Sequence, residues 1–247
     1  YGPPMRIVLD TALNTGSAEY QNMGDVSMLQ VAVSRLKRYW PAASIEVITE
    51  SQESLTLYCP ETRSLSRGGR DRWVGDNAIL RGWHRSLPKS LSLLVERLTG
   101  SLRLRWPVVL QRMLYLMLKL RDRENGKRDL AAYLGSLRNA DLFVVSGSGG
   151  FSDGTRAWNI AILNTIEDAI HRNIPVALFG QGMGPLTDAD VLSRAKKVFP
   201  FVNLIALRGG RDGMALLESL GVDSSRVLTT GDEAIELAYE ARPAELG

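Results

Sequence analysis

Between Gly147 and Gly154 the chain places four glycines, Gly147, Gly149, Gly150 and Gly154, with Ser148, Ser152 and Asp153 between them and Thr155 and Arg156 directly after. Glycine lets a backbone approach a ligand closely. A run of free N–H groups leading into a helix N-terminus forms a cradle for an anion. Arg156, at the helix entry, adds a full positive charge. The plain alternative is a connection that binds nothing, but four glycines in one turn exceed what a connection needs. A second glycine turn, Gly180-Gln181-Gly182-Met183-Gly184-Pro185, follows the apolar run PVALF. Arg208 and Asp232 also stand just beyond apolar runs, and Asp25 ends the long loop that follows the first of them.

These residues need elements to hold them. Asp141 to Val145 (DLFVV) reads as a strand buried on both faces of a parallel sheet, and Trp158 to His171 has the helical period. Met5 to Leu9, Ser44 to Thr49, Pro175 to Phe179, Asn203 to Leu207 and Arg226 to Thr229 are further strands, with Leu55 to Cys59 a short third one in chain order. Asp25 to Trp40, Ala189 to Val198, Gly213 to Leu220 and Glu233 to Ala241 read as helices. The alternation predicts an α/β fold with a doubly wound, mostly parallel sheet of Rossmann-like type. In such sheets ligands sit at the carboxyl ends of the strands. Both glycine turns, Asp25, Asp153, Arg156, Arg208 and Asp232 fall at such ends, so one crevice is expected to collect them.

From Glu61 to Lys127 the rhythm breaks. Thr62 to Asp76 is rich in Arg, Gly and Ser and reads as a loop, and Pro88 to Leu98 and Arg105 to Leu120 read as helices. We therefore expect residues 1–247 to form one Rossmann-like domain with a basic helical insertion at 61–127. Between Arg81 and Arg128, twelve Lys and Arg face three acidic residues, a net of +9 in a chain of net charge +3. That segment calls for an anionic partner. On the Arg105–Leu120 helix, Gln111, Arg112 and Lys119 fall within about 100° of one another and nearly everything else is apolar. Two readings stay open: a helix buried in this or a partner domain, or one lying in a membrane surface with Trp106 among the headgroups.

Composition excludes several classes. Cys59 is alone, which rules out an internal disulfide and a thiolate metal cluster. His84 and His171 are the only histidines and read as structural, so no metal is expected. The basic stretch lacks interleaved aromatic residues, against nucleic-acid binding. The start YGPPMRIVLD has no secretory pattern, and a cytoplasmic protein, or one at the inner face of the membrane, is expected. The turn G-x-G-G is not the spaced dinucleotide fingerprint, and PVALF does not end in the acidic residue that would hold a ribose.

Four blocks in order carry a resemblance. They are Asn22-Met23-Gly24-Asp25; Asp141 to Asp153 with its glycine run and Phe151; Phe179 to Leu186 (FGQGMGPL); and Leu217 to Asp232, ending Thr-Gly-Asp. Together they resemble the polysaccharide pyruvyl transferase family. The resemblance implies transfer of a pyruvyl group from phosphoenolpyruvate to two hydroxyls of a polysaccharide or lipid-linked sugar, giving a cyclic ketal without metal or organic cofactor. It also implies two Rossmann-like domains in a GT-B-like arrangement, so a second domain is expected past Gly247, with this chain on the acceptor side. Three departures stand out. Ser148 interrupts the glycine run, Arg208 is followed by GGRDG rather than an acidic residue and a serine, and the chain ends after the first module.

The implied reaction assigns candidate roles. Asp25 is the candidate base, or else a residue that favours a helix dipole. Asn22, Gly147, Ser148, Gly149 and Gly150 would line the anion or acceptor site, with Arg156 assisting. Asp153 would bind sugar hydroxyls or open a helix. Gln181, beside Gly182, would donate to the ligand. Arg208 would bind an anion or form a surface salt bridge, and Asp232 would cap a helix or contact substrate. Competing readings are a nucleotide-sugar glycosyltransferase domain and a non-catalytic domain that docks on carbohydrate or, through 81–128, on a membrane.

Overall fold

The computed structural model of the protein describes residues 3–11, 23–75, 88–120, 124–147 and 151–240. Seven parallel strands form one sheet: β1 (Arg6–Asp10), β2 (Ser44–Thr49), β3 (Arg63–Ser66), β4 (Leu142–Val145), β5 (Val176–Gln181), β6 (Leu204–Leu207) and β7 (Val227–Thr229). Their order is β3-β2-β1-β4-β5-β6-β7. Helices α1 (Met23–Tyr39), α2 (Gln52–Tyr58) and α3 (Arg67–Val74) follow the first three strands. Then α4 (Lys89–Arg105), α5 (Pro107–Leu120) and α6 (Glu124–Arg138) lead to β4. After β4 come α7 (Arg156–His171), α8 (Ala189–Val198), α9 (Arg211–Ser219) and α10 (Ile235–Glu240), one following each strand. The fold is the expected doubly wound, Rossmann-like α/β sheet.

Side-chain alternation builds two cores. Ile7, Leu9, Leu142 and Val144 face α1, where Val26, Leu29, Val33 and Leu36 at helical spacing are buried. Val8, Phe143 and Val145 face the other way and join the larger core with α3, α6, α7 and α8. Central strands buried on both faces explain why β4 reads as an unbroken apolar run.

Two expectations are corrected. Leu55 to Cys59 is not a strand but lies in and just after α2. Ser51 caps that helix, accepting from the Ser54 N–H at 3.3 Å, and Glu53 sits in the first turn where a carboxylate favours the dipole. A short apolar run alone cannot tell strand from helix; the cap can. The stretch from Thr62, described as far as Gly75, is not a loop either. It forms edge strand β3, paired with β2, and then α3; Asp76 lies outside the described residues. β3 buries only Leu65, so it carries no apolar pattern. Gly69 of α3 serves packing, since a Cβ there would stand 2.3 Å from the Asp129 carbonyl oxygen of α6. The segment read as inserted helices therefore begins with a strand of the sheet.

A buried ion pair fixes α3. Arg70, 2% exposed, donates from Nη1 to both oxygens of fully buried Asp10 at 2.8 and 2.7 Å, and from Nε and Nη2 to Asp71 at 2.9 and 2.8 Å. Trp73 Nε1 donates to Asp168 of α7 at 2.9 Å, and Asn164 Nδ2 to the Val74 carbonyl at 2.7 Å. Removing one partner of a buried pair leaves the other charge without compensation. Arg70→Ala is therefore expected to lower unfolding free energy in urea by about 3–5 kcal/mol, and a loss below about 1 kcal/mol would show that α3 is held by apolar packing alone.

Candidate active site

Winding turns back between β1 and β4, neighbours in the sheet but far apart in the chain. The helices that follow them, α1 and α7, pack on opposite faces of the sheet, and the carboxyl ends of two such strands are where these sheets bind ligands. A ladder of hydrogen bonds runs along this rim. Ser146 N donates to the Asp10 carbonyl at 2.8 Å, Arg208 N to the Gln181 carbonyl at 3.0 Å, and Thr230 N to the Leu207 carbonyl at 2.9 Å. It joins the ends of β1 and β4, then of β5, β6 and β7.

Gln181 closes the interval between β4 and β5. Its Nε2 donates to the carbonyls of Val145, Ser146 and Phe179 at 3.2, 3.1 and 2.8 Å, and the side chain is fully buried. The sequence suggests donation to a ligand; the structure commits this amide to the backbone beneath the turn. Gly182, half-buried, follows it. Gly147 is pressed against the same place, because a Cβ there would stand 2.8 Å from the Gly180 carbonyl and 2.8 Å from Met28 Sδ. Met28 lies one turn beyond Asp25, which is half-buried in the first turn of α1. Thus the first glycine turn, the second glycine turn and the start of α1 meet. Asn22, Ser148, Gly149 and Gly150 lie outside the described residues.

Past the rim the two glycine turns run side by side. Phe151 bridges Met183, Gly184 N donates to the Phe151 carbonyl at 3.0 Å, and Asp153 N to the Pro185 carbonyl at 3.1 Å. Asp153 accepts from Thr187 N and Oγ1, both at 2.8 Å, and from Asp188 N at 3.1 Å. These bonds, the Thr187 N–H first, hold its carboxyl below the usual aspartate range. Arg156 pairs with Asp188 at 3.0 Å and Asp190 at 2.8 Å at the start of α8. Both side chains thus have structural work, fastening one turn to the other. Arg208 and Asp232 face each other at 3.8 Å on the ends of β6 and β7, each partly exposed, and Asp232 also accepts from Ala234 N at 3.1 Å.

Sequence reasoning missed Arg67 and Arg70. Both reach the carboxyl end of β1: Arg70 through Asp10, and Arg67, 8% exposed, through a 3.0 Å bond from Nη2 to the Thr11 carbonyl. Burial raises the Asp10 pKa against the pull of Arg70, and burial lowers that of Arg67. Their spacing of three puts them on one face of a helix, a signal hidden when the segment is read as a loop. Burial pushes the Cys59 thiol up to about 12, which keeps it protonated at neutral pH.

The family model for polysaccharide pyruvyl transferase matches residues 22–246. The chain belongs to this family. The match starts at the expected Asn22 block, takes in the rim from α1 to Asp232, and gives the protein a general role in pyruvyl transfer. No curated protein matches the chain.

Asp153 carries a depressed pKa, so its contribution to stability is present above its ordinary value of 3.8 and is lost as pH falls through the lower folded value. Asp153→Ala should lower the urea midpoint at neutral pH, with the gap to wild type closing as pH drops below 3.8. A gap constant down to the most acid pH would show that the carboxylate contributes nothing through its charge.

Proposed function

We propose that this chain carries the acceptor-side part of an enzyme that moves a pyruvyl group from phosphoenolpyruvate to two hydroxyls of a polysaccharide or lipid-linked sugar. The observation that carries this reading is the meeting of both glycine turns with α1, through Met28 one turn past Asp25, and with the Arg208 backbone along one rim. Family membership supplies the pyruvyl chemistry. Phosphoenolpyruvate bears a phosphate and a carboxylate, and Arg208, partly exposed at the end of β6, is a cation suited to either.

The reaction adds a proton to the methylene carbon, leaving cation-like charge on the neighbouring carbon. One sugar hydroxyl attacks that carbon and gives up its proton. The carbon–oxygen bond to phosphate breaks, the second hydroxyl closes the ring, and its proton leaves with the phosphate. In this scheme Asp25 takes a hydroxyl proton. Arg208, oriented by Asp232, binds an anionic group of the donor. Gln181 is a positioning residue, since its amide holds the turn that the ligand would meet. Among the described residues Ser146 Oγ and Gln181 Oε1 are buried without hydrogen-bond partners. Buried polar atoms are normally paired, so two such atoms beside the glycine turn support a polar ligand there.

In steady-state assays of phosphate release with phosphoenolpyruvate and a sugar acceptor, Asp25→Asn should lower kcat about a hundredfold or more. Arg208→Ala should raise KM for phosphoenolpyruvate by about tenfold or more, the worth of one charge-assisted hydrogen bond. Wild-type constants in either variant remove that residue from the scheme. Consumption of a sugar nucleotide with phosphoenolpyruvate untouched replaces the scheme with glycosyl transfer.

A further inference from the structure

We infer that α4 and α5 form a docking hairpin for an anionic bilayer surface, a property independent of the pyruvyl chemistry. The inner side of the hairpin already has its place in the fold. Leu110 and Leu114 are buried, and Leu102, Met113 and Leu118 pack half-buried against the main core. Yet each helix carries a second apolar stripe. On α4, Leu91, Leu94 and Leu98 recur at helical spacing and are all exposed. On α5, Val109, Leu116 and Leu120 do the same, Leu120 with 78% of its surface open. Trp106, at the turn between the helices, is 63% exposed. Outward apolar side chains on two adjoining helices exceed the scattered exposure normal on a monomer.

Charge identifies the occupant. Residues 89–120 carry a net of +5 in a chain of +3, and even without Arg103, which is buried against Glu167 at 3.0 Å, Lys89, Arg97, Arg105, Arg112 and Lys119 stand against Glu96 alone, a net of +4. Arg112 and Lys119 are exposed within the same α5 stripe, and Arg105 is exposed beside Trp106. A second copy of the chain would set these cations against their own counterparts across a two-fold interface. At a lipid surface they extend to anionic headgroups while the leucines and the indole enter the acyl boundary. α5 has 14 residues, about 21 Å of helix, short of the roughly 30 Å hydrocarbon core. Among the described residues no helix is long and apolar enough to cross a membrane, so the hairpin lies in the surface plane.

Co-sedimentation with mixed phosphatidylcholine/phosphatidylglycerol vesicles and with pure phosphatidylcholine vesicles tests this. The wild-type protein should pellet with the anionic vesicles, far less with the neutral ones, and less as salt rises. Arg112→Ala and Lys119→Ala should each weaken partitioning about fivefold. Leu116→Glu should abolish it while leaving Tm unchanged, because the side chain is already exposed. No pelleting with anionic vesicles overturns the inference. So does equal, salt-insensitive binding to both vesicle types. Self-association in sedimentation velocity that Leu116→Glu abolishes, without vesicle binding, assigns the stripe to a second copy instead.

Discussion

Right-handed crossovers between parallel strands allow only two ways to add a strand, and each way places the connecting helix on a particular face. The chain adds β2 and β3 on one side of β1, then returns to add β4 to β7 on the other. That return sends α1 and α7 to opposite faces, so the two helices part from each other at the carboxyl rim. Everything assigned to the candidate site depends on this parting. Asp25 enters from the α1 side, the glycine turn from the β4 side, and Gln181 and Gly147 keep the second turn close enough to join them.

Electrostatics anchors the rim at both ends. At one end Asp10 holds Arg70 of α3 in a fully buried pair, which ties the edge strand β3 and its helix to the last residue of β1. At the other, Arg35 of α1 reaches Glu233, which lies against Gly180 of β5, at 2.6 Å and also pairs with Glu236 of α10, joining the first crossover helix to the segment that follows β7. Burial raises the Glu233 pKa against the pull of Arg35, so this clamp has a buried carboxylate at its centre. Between the anchors, the Asp153 and Arg156 contacts fasten the two glycine turns together. The described part of the rim is thus held by contacts within the protein itself.

Much of this was legible in the residues. β4 and β5 show as apolar runs because both sheet faces are covered, and α1 and α7 show as long periodic stretches. β3 did not show, because an edge strand that buries one leucine has no pattern to read. α2 does not read as a helix because its run of LTLYC is too short to have a period, while its informative residue, the cap Ser51, lies outside that run. Candidate residues were legible as positions but less so as roles. Glycine turns and strand ends fix where Gln181, Asp153 and Arg156 stand. Their hydrogen-bond partners, the Val145 and Ser146 carbonyls, Thr187 and Asp188, come from contacts about 30 residues away that no local pattern encodes. Arg67 and Arg70 were lost with α3 itself.

Hydrogen exchange of the protein, with and without phosphoenolpyruvate, tests the central claim most directly. The account expects slowed exchange in peptides covering 144–156, 180–187 and 206–212, with α4 and α5 unchanged. Absence of protection with phosphoenolpyruvate, or protection of these peptides by a sugar nucleotide alone, would contradict it.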